Sequence, residues 1–297
     1  MLAALVAAVW AVIANWDEVL AALERLPVWV PIVAFALSIA FVWATMVAWR
    51  FILNGLGPRV ASRIASGIFF VSQVAKYLPG GVWNFVAAAE MGADHAITKR
   101  RSVSVLLVSM LVSIVTGLSL AVLAVLAGPD ALLSRYWWVL IALPVFVVIL
   151  TPSVLNRVVN AALGLLKRDR LERDLTPAGL YRSAAVSLCS WLIAGAQVWL
   201  ILGGLTRTYS LESFFLCLGG YALAWVVGFL VFFVPAGVGI REVVLGAVLG
   251  SAAGAGDVVV VVLMSRILFT VADVCWGVWA SIRLRRDSVR LRARGQS

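Results

Sequence analysis

The stretch KYLPGGVWN, residues 76–84, places a lysine, a proline and paired glycines inside what hydropathy alone reads as a membrane-crossing segment. The chain around it has 297 residues, 63% of them hydrophobic and 13% charged. No single soluble core hides that much apolar surface, whereas about 20 consecutive apolar residues cross a bilayer as a helix, and such runs follow one another here. A spanning backbone must satisfy its own hydrogen bonds, which selects helices. The sequence therefore predicts an all-α polytopic membrane protein in which residues 76–84 interrupt a helix: proline lacks the backbone donor, and glycine admits dihedrals that helices forbid.

Working outward, uninterrupted apolar runs cover residues 1–16, 27–49, 102–127, 136–151, 183–204 and 257–282. The first reads as a short span rather than a signal peptide, because no basic segment precedes it and no small-residue cleavage site follows. Two further segments are interrupted: 61–97 at Pro79, Gly80 and Gly81, and 211–255 at VPAGVGIRE, residues 234–242. Basic residues cluster at Arg50–Arg63, Lys99–Arg101, Arg157–Arg182 and Arg283–Arg294 in groups of three, three, six and six, eighteen in all, against Arg25, Arg135 and Arg207 in the opposite loops. That bias assigns the first set to the cytoplasm. Parity then puts both ends of 61–97 inside and both ends of 211–255 outside. The arms after the breaks are too short to cross, so each broken segment is expected to be a re-entrant helical hairpin, and the two enter from opposite faces. LPGGV (78–82) aligns with VPAGV (234–238) in this opposed arrangement, the pattern of an inverted repeat whose unwound backbone marks a substrate site.

The formal charge of +10 sits between the apolar runs and reads as topology rather than nucleic-acid binding. Cys189, Cys217 and Cys275 lie singly and read as packing residues, and one histidine, His95, leaves no His-rich metal site or Ser-His-Asp triad. No metal or cofactor is expected.

Three cations remain inside apolar segments: Lys76, Arg241 and Arg266. An intramembrane charge costs about 2.5–3.5 kcal/mol on insertion scales, so it pairs, faces a wet cavity or carries function. Lys76 and Arg241 flank the two breaks, where an arginine fork, a lysine point charge and freed helix N-termini suit an anionic group. Glu242 either neutralises Arg241 or Lys76 or carries protons; Glu90 and Asp273 are the other candidate proton carriers. Arg266, Thr270, Asp273 and Gly277 recur at helical spacing and make one polar face. Ser183, Ser187, Ser190, Ala194 and Gln197 line a second face and Ser109, Ser113 and Thr116 a third, for which ordinary helix packing is the preferred reading.

KYLPGGVWN followed by PAGVGIRE resembles the lysylphosphatidylglycerol synthase/flippase transmembrane family over about residues 27–285. The resemblance implies lipid translocation, with Lys76, Pro79, Gly80 and Gly81 matching the first motif and Pro235, Gly237, Gly239, Arg241 and Glu242 the second. Tyr77, Asn84 and Arg266 complete the expected substrate-binding set. Longer members carry a soluble aminoacyl transferase domain, which is not expected here, so an aminoacylated substrate is not implied.

The expectation is a single transmembrane flippase-like domain over residues 1–285, with approximate inverted repeats at 27–151 and 183–282 and a basic cytoplasmic tail at 286–297. It is expected to be a multi-pass protein of the cell membrane, both termini cytoplasmic, with six spanning helices and two hairpins. It is not expected to be an enzyme, since no HExxH, GxSxG or Walker loop occurs. It is expected to translocate an anionic lipid or polyprenyl-phosphate-linked sugar by alternating access, with a lipid synthase or glycosyltransferase as the partner class and homo-oligomers compatible. The alternatives are a membrane-embedded lipid-modifying enzyme and a non-transporting partner of a glycosyltransferase.

Overall fold

The computed structural model describes residues 16–78, 82–126, 140–165, 171, 173–231 and 235–294. These are all helical or loop, with no strand among them. The helices are α1 (Trp16–Arg25), α2 (Trp29–Gly55), α3 (Ser62–Ala75), α4 (Trp83–Ala93), α5 (Lys99–Leu126), α6 (Ala142–Ile149), α7 (Pro152–Leu165), α8 (Pro177–Thr206), α9 (Leu211–Leu230), α10 (Ile240–Leu249) and α11 (Ala255–Arg294). Five of them, α2, α5, α8, α9 and α11, are long and apolar enough to cross a membrane. The expected span at 1–16 falls almost wholly outside the described residues.

The broken segments differ from one another. In the first, α3 has 14 residues and α4 has 11, or about 21 and 16 Å at 1.5 Å per residue, both short of a hydrocarbon core of about 30 Å. In the second, α9 has 20 residues, a full crossing length where a re-entrant arm was expected, and only α10, with 10, is short. The expected span at 136–151 is also different: α6 ends at Ile149 and the chain bends by 84° into α7. Pro152 explains the corner, because it has no N–H and pushes the residue before it out of the helical region. At the C-terminus α11 does not stop near 282 but runs 40 residues to Arg294, about 60 Å, so much of the expected tail continues the last helix.

Local chemistry sets the ends. Thr176 accepts a hydrogen bond from Gly179 N ahead of Pro177 at the start of α8, and Ser210 and Ser213 close a capping box on α9. Asn160 and Asn156 accept from Leu171 N (2.8 Å) and Leu175 N (3.1 Å), tying α7 to the loop before α8. The central pair is α2 against α8. A Cβ on Gly179 would stand 3.1 Å from Phe51 O and 3.2 Å from the Gly55 Cα, so two glycines let the backbones meet, as small residues do between membrane helices. Farther along, Gln197 of α8 accepts from Ser265 of α11 (2.9 Å), with Ser38 of α2 at 3.5 Å, a buried polar link among three helices.

Two large apolar clusters hold the bundle, one around Ile52, Phe70, Leu106 and Leu155, the other around Val30, Ile201, Leu249 and Val261. Cys217 is buried as expected of a packing residue, while Cys189 and Cys275 are exposed on helix surfaces.

Candidate functional site

The polar face read on the last span organises the site. Arg266, Thr270 and Asp273 of α11 point toward the ends of α3 and α10. Gly277 lets α3 come close, since a Cβ there would collide with Val74. Lys76, just past the end of α3, places Nζ 2.7 Å from Asp273 Oδ2 and 3.1 Å from Gln73 Oε1. Tyr77 donates its hydroxyl to the same carboxylate oxygen at 2.7 Å, with Thr270 Oγ1 at 3.5 Å. A charge-assisted pair with a second donor is a strong, orienting arrangement.

On the other side, the second break is a left-handed turn. Ala236, Gly237 and Gly239 have φ of 51°, 65° and 88°, a region where side chains are strained and glycine is not. Glu242 accepts from Gly239 N and so caps α10. It also pairs with Arg266 (Nε to Oε1, 3.3 Å), while a terminal nitrogen of Arg266 donates to Ala236 O at 2.9 Å. The expected pairing of Glu242 with Arg241 or Lys76 is therefore corrected: its partner comes from α11, and Lys76 takes Asp273.

Arg241 is left over. Its stem passes between Gly228 and Gly237, and a Cβ on Gly237 would stand 2.9 Å from Arg241 Nε. Its guanidinium carbon lies 5.3 Å from the centre of the Trp225 ring, a cation–π contact. Nε is buried and finds no hydrogen-bond partner, and Arg241 makes no ion pair among the described residues.

These groups surround a central cavity of two lobes, about 60 and 420 Å³, which share Lys76, Trp225, Arg241 and Asp273. The smaller holds Tyr77, Glu242 and Arg266. The larger is lined by Asn84 of α4 and by Ser109, Ser113, Ser183, Ser187 and Ser190. The serine faces thus do more than pack. Ser187 bonds to Thr116 across α5 and α8 (2.9 Å), which is packing, but the row as a whole lines the void, and Ser109 Oγ is buried without a partner.

The structure does not bring every expected residue together. Glu90 pairs with Lys99 at 2.6 Å, both side chains about 60% exposed, away from the cavity. Pro79, Gly80 and Gly81 lie outside the described residues, and Pro235 is described only as backbone of the turn. The sequence reading missed the aromatic wall: Phe41 stands 4.9 Å from Phe269 and 6.5 Å from Trp191, and Tyr221 5.2 Å from Phe269. Phe41 and Tyr221 belong to different helices, and nothing in their local spacing pairs them.

Chemically, three cations face two carboxylates, and both carboxylates are engaged. The cavity carries an excess positive charge and suits an anion. A family model described as Lysylphosphatidylglycerol synthase TM region matches residues 1–277. No curated protein matches the chain.

Proposed function

The chain belongs to the lysylphosphatidylglycerol synthase TM-region family, and from that premise we propose that it is a lipid flippase, moving an anionic lipid or a polyprenyl-phosphate-linked sugar between leaflets by alternating access. Arg241 carries this reading. A permanently charged guanidinium that has no ion-pair partner among the described residues is costly in apolar surroundings and becomes favourable when an anion arrives. Lys76 supplies a second positive group at the cavity edge, the serine row offers hydroxyls to a polar headgroup, and Trp225 and Phe41 give it apolar faces.

In this reading the short legs α3 and α4 form a re-entrant hairpin, and the turn before α10 meets it from the opposite face. The termini are cytoplasmic and the membrane is the cell membrane. In this reading the site binds its substrate without transforming it, and its two carboxylates hold the neighbouring cations Lys76 and Arg266. Glu242 and Asp273 line the cavity and are the candidates in this reading for coupling transport to protons, while Glu90 pairs with Lys99 away from it. A lipid synthase or glycosyltransferase supplies or consumes the substrate.

The test uses the purified chain in vesicles with labelled phosphatidylglycerol and, separately, a labelled polyprenyl-phosphate sugar. Arg241→Gln removes one charge-assisted contact, worth about 1.5–3 kcal/mol, so transport falls about tenfold or more, while thermal stability is retained because no partner is stranded. Movement of neither lipid by the wild type, or full transport by the variant, overturns the proposal.

A further inference from the structure

Another cavity, of about 630 Å³, shares no lining residue with the central one. Its walls come from the loop Leu56–Ala61 that leads into α3, Ile64 of α3, the turn His95–Thr98 that leaves α4, Arg101 of α5, and Arg173 ahead of α8. Three arginines and the one histidine of the chain border one space, and none of the lining residues carries a carboxylate. Arg59 and Arg173 are exposed and form no ion pair among the described residues.

Arg101 has a different task. It is buried, and one terminal nitrogen donates to Leu53 O (2.6 Å) and Pro58 O (2.7 Å), which folds the loop against α5. Gly57 is required beside it, because a Cβ there would lie 2.6 Å from the guanidinium carbon. Arg101 therefore shapes the pocket, while Arg59 and Arg173 supply charge at its mouth. Between them Val60, Ile64 and Ile97 give an apolar wall.

We propose that this pocket binds the phosphodiester headgroup of an anionic phospholipid in the leaflet that the basic bias assigns to the cytoplasm. Arginine forks match phosphate oxygens, and basic pockets between membrane helices on that side recognise such headgroups. A free phosphate offers the same oxygens but nothing for the apolar wall, which suits the glycerol and the first methylenes of a lipid. Because the lining includes the loop before α3, Ile64 of α3 and the turn after α4, one lipid would bridge the outer ends of the two short helices α3 and α4, beyond whose other end lies Lys76.

The experiment counts bound short-chain phosphatidylglycerol on the purified full chain by native mass spectrometry, with phosphatidylcholine and millimolar inorganic phosphate as separate arms. Each surface cation contributes about fivefold, so Arg59→Gln/Arg173→Gln weakens phosphatidylglycerol binding about 25-fold and leaves phosphatidylcholine unchanged. Both side chains are exposed and form no ion pair among the described residues, so the variant folds. The same loss must appear in an Arg241→Gln background, which weakens binding in the central cavity. Unchanged affinity in the double variant, or a loss that vanishes in that background, overturns the proposal. Full displacement of the lipid by inorganic phosphate overturns the lipid assignment in favour of a soluble phosphate site.

Discussion

Asp273→Asn isolates what holds the central site together. Asp273 is 5% exposed and its Oδ2 accepts from both Lys76 Nζ and Tyr77 Oη at 2.7 Å. The amide is nearly isosteric, so the variant removes charge without opening a void, and it leaves Lys76 without its anion. Breaking a buried pair by removing one partner costs about 3–5 kcal/mol. The Lys76 side chain keeps 31% exposure against 6% for Asp273, so water recovers part of the loss and the low end, about 3 kcal/mol, applies. At about 2–4 °C per kcal/mol that is a Tm lower by about 6–12 °C, read by thermal unfolding in detergent. Removing both charges, in Lys76→Met/Asp273→Asn, leaves no stranded ion and restores most of the loss. A single Lys76→Ala variant, by contrast, strands Asp273 and mixes folding with transport. A Tm for Asp273→Asn within about 1 °C of wild type, or a double variant less stable than the single one, refutes the reasoning.

Gly237→Ala is expected to cost about 2 kcal/mol, because φ is 65° and the new Cβ would lie 2.8 Å from Gly228 O, a backbone atom that cannot yield; a thermal melt and the vesicle assay both drop, and unchanged melting refutes the turn's role. Gly164→Ala on α7, with nothing within 4 Å of the new Cβ, is the control that keeps full stability. Glu90→Gln is expected to change stability by less than about 1 kcal/mol and to leave transport with and without a proton gradient as in wild type, because its partner Lys99 is a surface contact; loss of gradient response would return Glu90 to the mechanism.

The sequence was most informative where a rule is local. Proline and glycine marked both breaks, and the i, i+4, i+7 spacing of Arg266, Thr270 and Asp273 put them on one face that the fold uses throughout. Crossing lengths were legible less evenly. The apolar run 136–151 carries no sign of the 84° corner except Pro152, one residue beyond its end, and the C-terminal arginines do not reveal that α11 continues through them. Partner choice was not legible at all. Glu242 is adjacent to Arg241 in the chain, but adjacent helical residues diverge by about 100° and do not face one another; its cation comes from 24 positions away, on α11.

That exchange of partners makes the second break a single device. Glu242 is occupied twice, by Gly239 N and by Arg266, and Arg266 also holds Ala236 O, so the turn is fixed from both sides without any help from Arg241. The glycines then serve space as much as backbone freedom: Gly228 and Gly237 admit the Arg241 stem, and Trp225 supports its guanidinium from one face. A cation needed only to stabilise the break would be expected at the carboxylate. Here the carboxylate goes to Arg266, and Arg241 is held in place by packing, with its Nε unbonded among the described residues and its head at the cavity, the arrangement that the proposed flippase reading requires of a cation that meets an incoming anion.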